Sequence, residues 1–209
     1  MKSDLYHEYY EKEQLWRTTN WLGVPCWKLP MDAWIIQELI YRLQPDYLVE
    51  TGTNHGGSSL FYASIMELIK HGQVISIDVK QKVLPTYKSK HIMERITYLH
   101  GDSTDRKIVE KVHSIVKGKN NMVVLDSWHT KNHVVTELEC YAWLVPKNFY
   151  VIVEDTHTNG NPIEWEWGEG PMEAVLDFME FNHDEFIIDK ECERLGMTFN
   201  PNGYIRRIK

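Results

Sequence analysis

Cysteine is scarce in this chain. Cys26, Cys140 and Cys192 are odd in number, widely spaced and form no CxxC pair. That excludes a zinc knuckle or a disulfide scaffold and points to a reducing, cytoplasmic compartment. An excess of positive charge is also missing. The 23 Lys and Arg against 30 Asp and Glu leave a net charge of −7, the wrong sign for a general nucleic-acid binder. No apolar run approaches the length needed to cross a bilayer. The opening residues Met1-Lys2-Ser3-Asp4-Leu5-Tyr6-His7 lack the apolar centre of a signal peptide. The one glycine-rich run lacks both the lysine of a P-loop and the G-x-G-x-x-G spacing of a dinucleotide site.

The 209 residues are enough for one domain with a substantial core. Aromatics are unusually placed. Many of the eight tryptophans fall in the first thirty residues or between Asp155 and Gly170, where loops or edges are expected. Such side chains suit interfaces and ligand walls as well as plain packing.

Residues 1–30 are polar and aromatic and end in prolines, which predicts an extended arm lying on a domain formed by 31–209. Asp32 is placed to cap a helix that ends before Pro45. Strands then alternate with helices: strands over 47–51, 73–78, 96–100, 122–126 and 149–154, and helices from Ser58, from Asp102 or Ser103, over 132–145 and from Pro171. Part of a helix is expected within 80–95, and two last strands over 185–189 and 197–207. Near-continuous apolar strands indicate a sheet covered on both faces. The expected fold is therefore α/β: a doubly wound, mostly parallel, Rossmann-like sheet with an antiparallel C-terminal edge.

The run Tyr47-Leu48-Val49-Glu50-Thr51-Gly52-Thr53-Asn54-His55-Gly56-Gly57-Ser58-Ser59-Leu60 carries an apolar strand into an acid, three glycines and a helix. Glu50, Gly52, Thr53 and Gly56 are thereby placed around a ligand pocket at the first strand's carboxyl end. A carboxylate there repels pyrophosphate but suits a cation, so the run fits S-adenosylmethionine (SAM) better than a dinucleotide. A glycine-rich turn without a ligand is the plainer alternative. The other strands also end on acids: Asp78, Asp102, Asp126, and Glu154 with Asp155. Asp78 can accept from a ribose diol. Asp102 can accept from an adenine amino group or cap the next helix. Asp126, at the end of the fourth strand, is placed to border the cofactor pocket, to bind a metal and, with His129, to take part in catalysis.

Asp126, Glu154 and Asp155 come from neighbouring central strands and would repel each other without a cation. Oxygen ligation favours Mg²⁺, Ca²⁺ or Mn²⁺ over zinc. Carboxylates held by lysines or backbone amides are the alternative, and so is an iron site of His129, His157 and Asp155. His129, one turn past Asp126, can serve as a general base or merely as a capping residue.

Taken in order, these residues resemble the cephalosporin hydroxylase-like family of SAM-dependent methyltransferases. The resemblance rests on Gly23-Val24-Pro25 with Lys28 and Pro30, Glu50-Thr51-Gly52 with Gly56-Gly57-Ser58, Ser76-Ile77-Asp78 and Gly101-Asp102-Ser103. It continues through Asp126-Ser127-Trp128-His129, Glu137-Leu138 with Tyr141, Val153-Glu154-Asp155-Thr156 and Gly170-Pro171. It implies a class I methyltransferase fold, SAM contacts at Glu50, Ser58, Asp78 and, less firmly, Asp102, and Mg²⁺ ligands at Asp126, Glu154 and Asp155. It also implies O-methylation of a sugar or other polyol-like small molecule, so the expected partner is a saccharide acceptor, with no nucleic acid, no membrane span and a homo-oligomer left open. A long N-terminal extension of some sugar-modifying relatives is not seen. Catechol-type enzymes are similar at the same points, with a lysine where this chain has His129. Methylation of an aromatic diol is thus the enzymatic rival, and a non-catalytic SAM- or nucleotide-binding module the other.

Overall fold

The computed structural model describes residues 2–80 and 90–209. Its main sheet has seven strands: β1 (Tyr47–Thr51), β2 (Gln73–Asp78), β3 (Ile96–His100), β4 (Asn121–Leu125), β5 (Tyr150–Val153), β6 (Phe186–Ile188) and β7 (Tyr204–Arg207). Their spatial order is β3-β2-β1-β4-β5-β7-β6. The first five run parallel, and β7 pairs antiparallel with both β5 and β6. The expected antiparallel C-terminal edge is present.

Helices α2 (Pro30–Leu43) and α3 (Gly57–Ile69) join one apolar layer, with Ile36, Ile40, Tyr62 and Met66 against Leu48, Val74 and Val124. Helices α5 (Arg106–Val116), α6 (Lys131–Tyr141) and α7 (Pro171–Asn182) cover the other face, with Val112, Leu138 and Val175 against Val49, Val123 and Val151. Burial on both faces explains why the strands read as unbroken apolar runs. The strand order reverses between β1 and β4, and a doubly wound sheet opens its crevice at that point.

The sequence expectations fail in four places. The first thirty residues are not extended: α1 (Lys2–Lys12) is followed by a 3₁₀ turn, Leu15–Thr18, and a short ladder of Asn20–Trp21 with Val24–Pro25. The prolines bound that ladder and start α2. Asp105, not Asp102 or Ser103, caps α5, accepting from the Lys107 amide at 2.8 Å. Asp102 is bound instead to the Thr104 amide and hydroxyl. The last strand is only Tyr204–Arg207, because residues 197–200 turn inward. Most of the expected 80–95 helix lies outside the described residues; Lys90–Met93 forms α4, a single turn.

Asp32 is the fourth. It lies inside the first turn of α2, where Leu29 takes the cap position. Its buried carboxylate accepts from the Thr198 hydroxyl (2.5 Å), the Phe199 amide (2.8 Å) and the Tyr204 hydroxyl (2.9 Å). Asp32 therefore pins the C-terminal segment to α2. Burial raises its pKa to about 6, against the pull of those three donors. A carboxyl raised in the folded state contributes most below its unfolded pKa, and that contribution is lost as pH rises through the folded value. Relative to Asp32→Asn, the wild type should lose stability between about pH 4 and pH 6. Denaturant melts of the two proteins at several pH values check this.

Candidate active site

Two glycines shape the turn after β1. Gly52 has φ +87°, and a Cβ there would fall 1.7 Å from the Asp126 carbonyl oxygen. A Cβ on Gly57 would fall 2.1 Å from the Pro25 carbonyl oxygen. Both positions make room for other parts of the chain rather than for a ligand. Gly56, in the left-handed region, turns the backbone into α3.

Glu50 is fully buried. Its Oε2 accepts from the hydroxyls of Ser59 and Ser76, both at 2.6 Å. Burial raises its pKa, opposed by Lys28 and the hydroxyls of Ser58, Ser59 and Ser76. Thr53 joins the group through Ser76, at 2.6 Å. Asp78 stays at the rim, where its two oxygens accept from the amides of Asn54 and Lys80, each at 2.8 Å.

Beside this turn a cavity of about 510 Å³ is bordered by Gly52, Asp78, Asp102, Ser103, Ser127 and His133. Behind its wall lies Glu137, fully buried, which accepts from Ser103 (2.6 Å) and Ser127 (2.7 Å). The hydroxyls of Ser103 and Ser127 in turn lie 3.2 and 3.0 Å from His133 Nε2. Asp102 keeps a lowered pKa through its two bonds from Thr104.

The second centre lies where β4 and β5 end. His129 sits between two acids, with Nε2 3.3 Å from Asp126 Oδ1 and Nδ1 3.2 Å from Asp155 Oδ2. Burial would lower its pKa, but Asp155 and Asp126 outweigh burial and lift it to about 9. Asp126, Asp155 and His129 offer ligand atoms within 4.8 Å of one another. Asp155 adopts φ +56°, and its amide donates to Asn200 Oδ1 at 3.1 Å. Aspartate tolerates this left-handed conformation better than most residues.

Glu154 turns one oxygen to a lysine. Its Oε2 lies 2.5 Å from Lys28 Nζ, which also reaches Asp126 Oδ2 at 2.8 Å. Burial would raise the Asp126 carboxyl, but Lys28 and His129 hold it down to about 2. Glu154 and Asp155 are both pushed upward, by burial first and by Asp126, against the pull of Lys28 and His129. Acids thus outnumber cations here. Glu154 Oε1 is buried with no hydrogen-bond partner among the described residues. An under-compensated oxygen-rich cluster with an idle carboxylate oxygen fits a hard divalent cation.

His157 stands at the edge of this cluster, its Nδ1 4.0 Å from Asp155 Oδ1, but is not among the three residues whose ligand atoms meet. Its Nδ1 pairs with the Phe199 carbonyl at 2.9 Å, and burial lowers its pKa to about 3. His55 packs edge-on to Trp27. Trp167 donates from Nε1 to the His129 carbonyl at 3.0 Å, while Trp165 and Trp128 stand exposed. Sequence reasoning allowed for lysine-held carboxylates here, and two of the three acids are so held, but it did not name Lys28. The only signal was its place in the Gly23–Pro30 motif.

A family model described as Rhamnosyl O-methyltransferase/CmcI matches residues 13–208. A rhamnosyl O-methyltransferase of Mycobacterium tuberculosis (strain ATCC 25618 / H37Rv) is 32% identical over 206 residues, covering 97% of this chain and 83% of its own. A solved structure titled "cmcI-D160 Mg-SAM" superposes with a TM-score of 0.69 at 20% identity, over 92% of this chain and 78% of that one. The MycE methyltransferase from the mycinamycin biosynthetic pathway, in complex with Mg, SAH and mycinamycin VI, gives 0.52 at 21% identity, over 72% and 41%. At such identities the structural likeness speaks for the fold.

The two acids of the first turn should respond differently to removal. Glu50→Ala strips two buried hydroxyls of their acceptor and should cost on the order of 1–3 kcal/mol. Asp78→Ala frees two amides near solvent and should cost less than about 1 kcal/mol. Urea denaturation of both variants tests the contrast.

Proposed function

The chain belongs to the Rhamnosyl O-methyltransferase/CmcI family, and from that premise we propose that it transfers a methyl group from SAM to a hydroxyl of a rhamnosyl or similar sugar, with Mg²⁺ as the second cofactor. The observation that carries this reading is the meeting of Asp126, His129 and Asp155 beside a cavity at the sheet's switch point. The cavity suits SAM. Asp78 faces it as the acceptor for the ribose hydroxyls, Asp102 and Ser103 lie where the base would rest, and of the glycine-rich turn Gly52 borders it, while Thr53, Gly56 and Ser58 do not line it. Glu50 acts from beneath, as a buried acceptor that ties α3 to β2 through Ser59 and Ser76.

Asp126, Glu154 and Asp155 would hold the divalent ion. Held there, a divalent ion would supply Lewis acidity toward the acceptor hydroxyl. His129 takes the proton. Flanked by two carboxylates alone, it is an imidazolium at neutral pH. It becomes a competent base when the charge of Asp126 and Asp155 is taken up by another cation. Positioning of the hydroxyl against the sulfonium supplies much of the acceleration. Trp165 and Trp167, on the loop tied to the His129 carbonyl, offer apolar faces to the CH surface of a sugar ring. The mycobacterial relatives favour a saccharide over a catechol. Among the described residues no helix is long and apolar enough to cross a membrane. The three cysteines are unpaired, in keeping with a reducing cytoplasm.

Methyl transfer from labelled SAM to a panel of rhamnosides, other sugars and catechols tests the reading. Turnover should appear with a sugar, vanish in EDTA and return with Mg²⁺. Full activity in EDTA, or turnover with catechols alone, would overturn it.

His129→Ala should lower kcat by roughly 10²–10⁴. The wild-type rate should fall as pH drops through the imidazole pKa, since only the neutral ring accepts a proton. That acid limb should disappear in the variant, as a pH–rate profile of each would reveal.

A further inference from the structure

Lys28 comes from neither of the strands whose acids it binds. It follows the Val24–Pro25 ladder and reaches across to the ends of β4 and β5. Its approach is built into the fold. The Cys26 amide and the Thr19 hydroxyl fix the turn before it, through Cys26 N to Thr19 O at 3.0 Å and Thr19 Oγ1 to Cys26 O at 2.5 Å. The Lys28 amide then donates to the Cys26 carbonyl at 2.8 Å. Gly57 lets this segment pass, since a Cβ there would lie 2.7 Å from the Cys26 Cα. The side chain ends 3% exposed, with its ammonium on the two carboxylates.

The division of oxygens is the informative detail. Lys28 takes Asp126 Oδ2 and Glu154 Oε2. Asp126 Oδ1 faces His129, and Glu154 Oε1 has no partner among the described residues. One oxygen of each acid is committed to Lys28, and the other is not.

We propose that Lys28 is a positioning residue for the divalent-cation site: its ammonium holds Asp126 Oδ2 and Glu154 Oε2, keeps the site assembled before the metal arrives, and leaves Asp126 Oδ1 and Glu154 Oε1 to the ion. The inference rests on the reading of these acids as a metal site. Groups outside the ligand sphere commonly orient ligands in this way. Here the orienting group also carries positive charge, so it has a second effect. It supplies resident compensation for a buried acidic cluster, and by repulsion it moderates the affinity for the incoming cation. Removing one partner of a buried ion pair leaves the other uncompensated. Without Lys28 the metal-free protein should be markedly weakened and the metal should restore more of its stability.

The test uses thermal melts of the full chain at pH 8, in EDTA and in saturating Mn²⁺, for wild type, Lys28→Arg, Lys28→Met and Lys28→Met/Glu154→Gln. In EDTA, Lys28→Met should melt ~10 °C below wild type, and Lys28→Arg should lie between them. Mn²⁺ should raise the melting temperature of Lys28→Met by more than it raises that of wild type. The double variant should be more stable in EDTA than Lys28→Met, since the pair is removed together. A lysine that merely fills space would lower stability equally with and without metal. An equal or smaller Mn²⁺ shift in Lys28→Met, or a double variant no more stable than the single one, overturns the proposal. If Lys28→Met cannot be obtained folded, folding of the double variant supports the charge pairing and its failure refutes it. A wild type that shows no Mn²⁺ response, by melting or by calorimetry, overturns the metal-site reading itself, a result distinct from an unaltered response in Lys28→Met.

Discussion

Like-charge repulsion at the carboxyl edge of the sheet is the constraint around which this molecule is arranged. β4 and β5 are neighbours in register, so the residues that follow them, Asp126, Glu154 and Asp155, emerge side by side. In a partly buried setting such a set does not persist without positive charge. His129 supplies one charge from the start of the loop into α6, and Lys28 supplies another from the segment before α2. The first thirty residues are therefore more than a covering. They deliver a charge that no element of the sheet provides.

The same economy appears in the glycine run. Read alone, Gly52 and Gly57 look like concessions to a ligand. In the structure they yield to the Asp126 backbone and to the Pro25–Cys26 backbone. Each glycine thereby brings a piece of the acid–cation cluster into range. The cavity and the charged centre meet at one turn, with the cavity on one side and the incoming segment on the other.

Much of the fold was legible in the chain. β1, β2 and β3 lie where the apolar runs ending at Thr51, Asp78 and His100 place them, and the alternation with helices fixes a doubly wound sheet. Local patterns sufficed because each strand is buried on both faces. What was not legible depended on distant partners. Asp32 looks like a cap because caps are local, yet its donors come from residues 198–204. Asp102 and Asp105 are equally good caps on paper, and backbone geometry chooses between them. Lys28 meets acids 98 and 126 positions away, a pairing no spacing rule contains. His129 was legible as a side chain near Asp126, but its raised pKa needs Asp155 as well, from another strand. The residues of the proposed site could be named from sequence, whereas their states of charge could not.

Tyr10 and Leu29, from the beginning of the chain, share a small apolar cluster with Met197 and Phe199, near its end, and His7 stacks on Phe199 with ring centroids 5.2 Å apart. These are contacts of very high sequence separation, and the loop they close is among the longest the chain can form. Closing it carries an entropic cost that cannot be recovered until the sheet between is in place. During synthesis the first thirty residues emerge early but have nothing to dock on until the last strands are made. Assembly should therefore finish with this leading segment, which settles only once the sheet has formed.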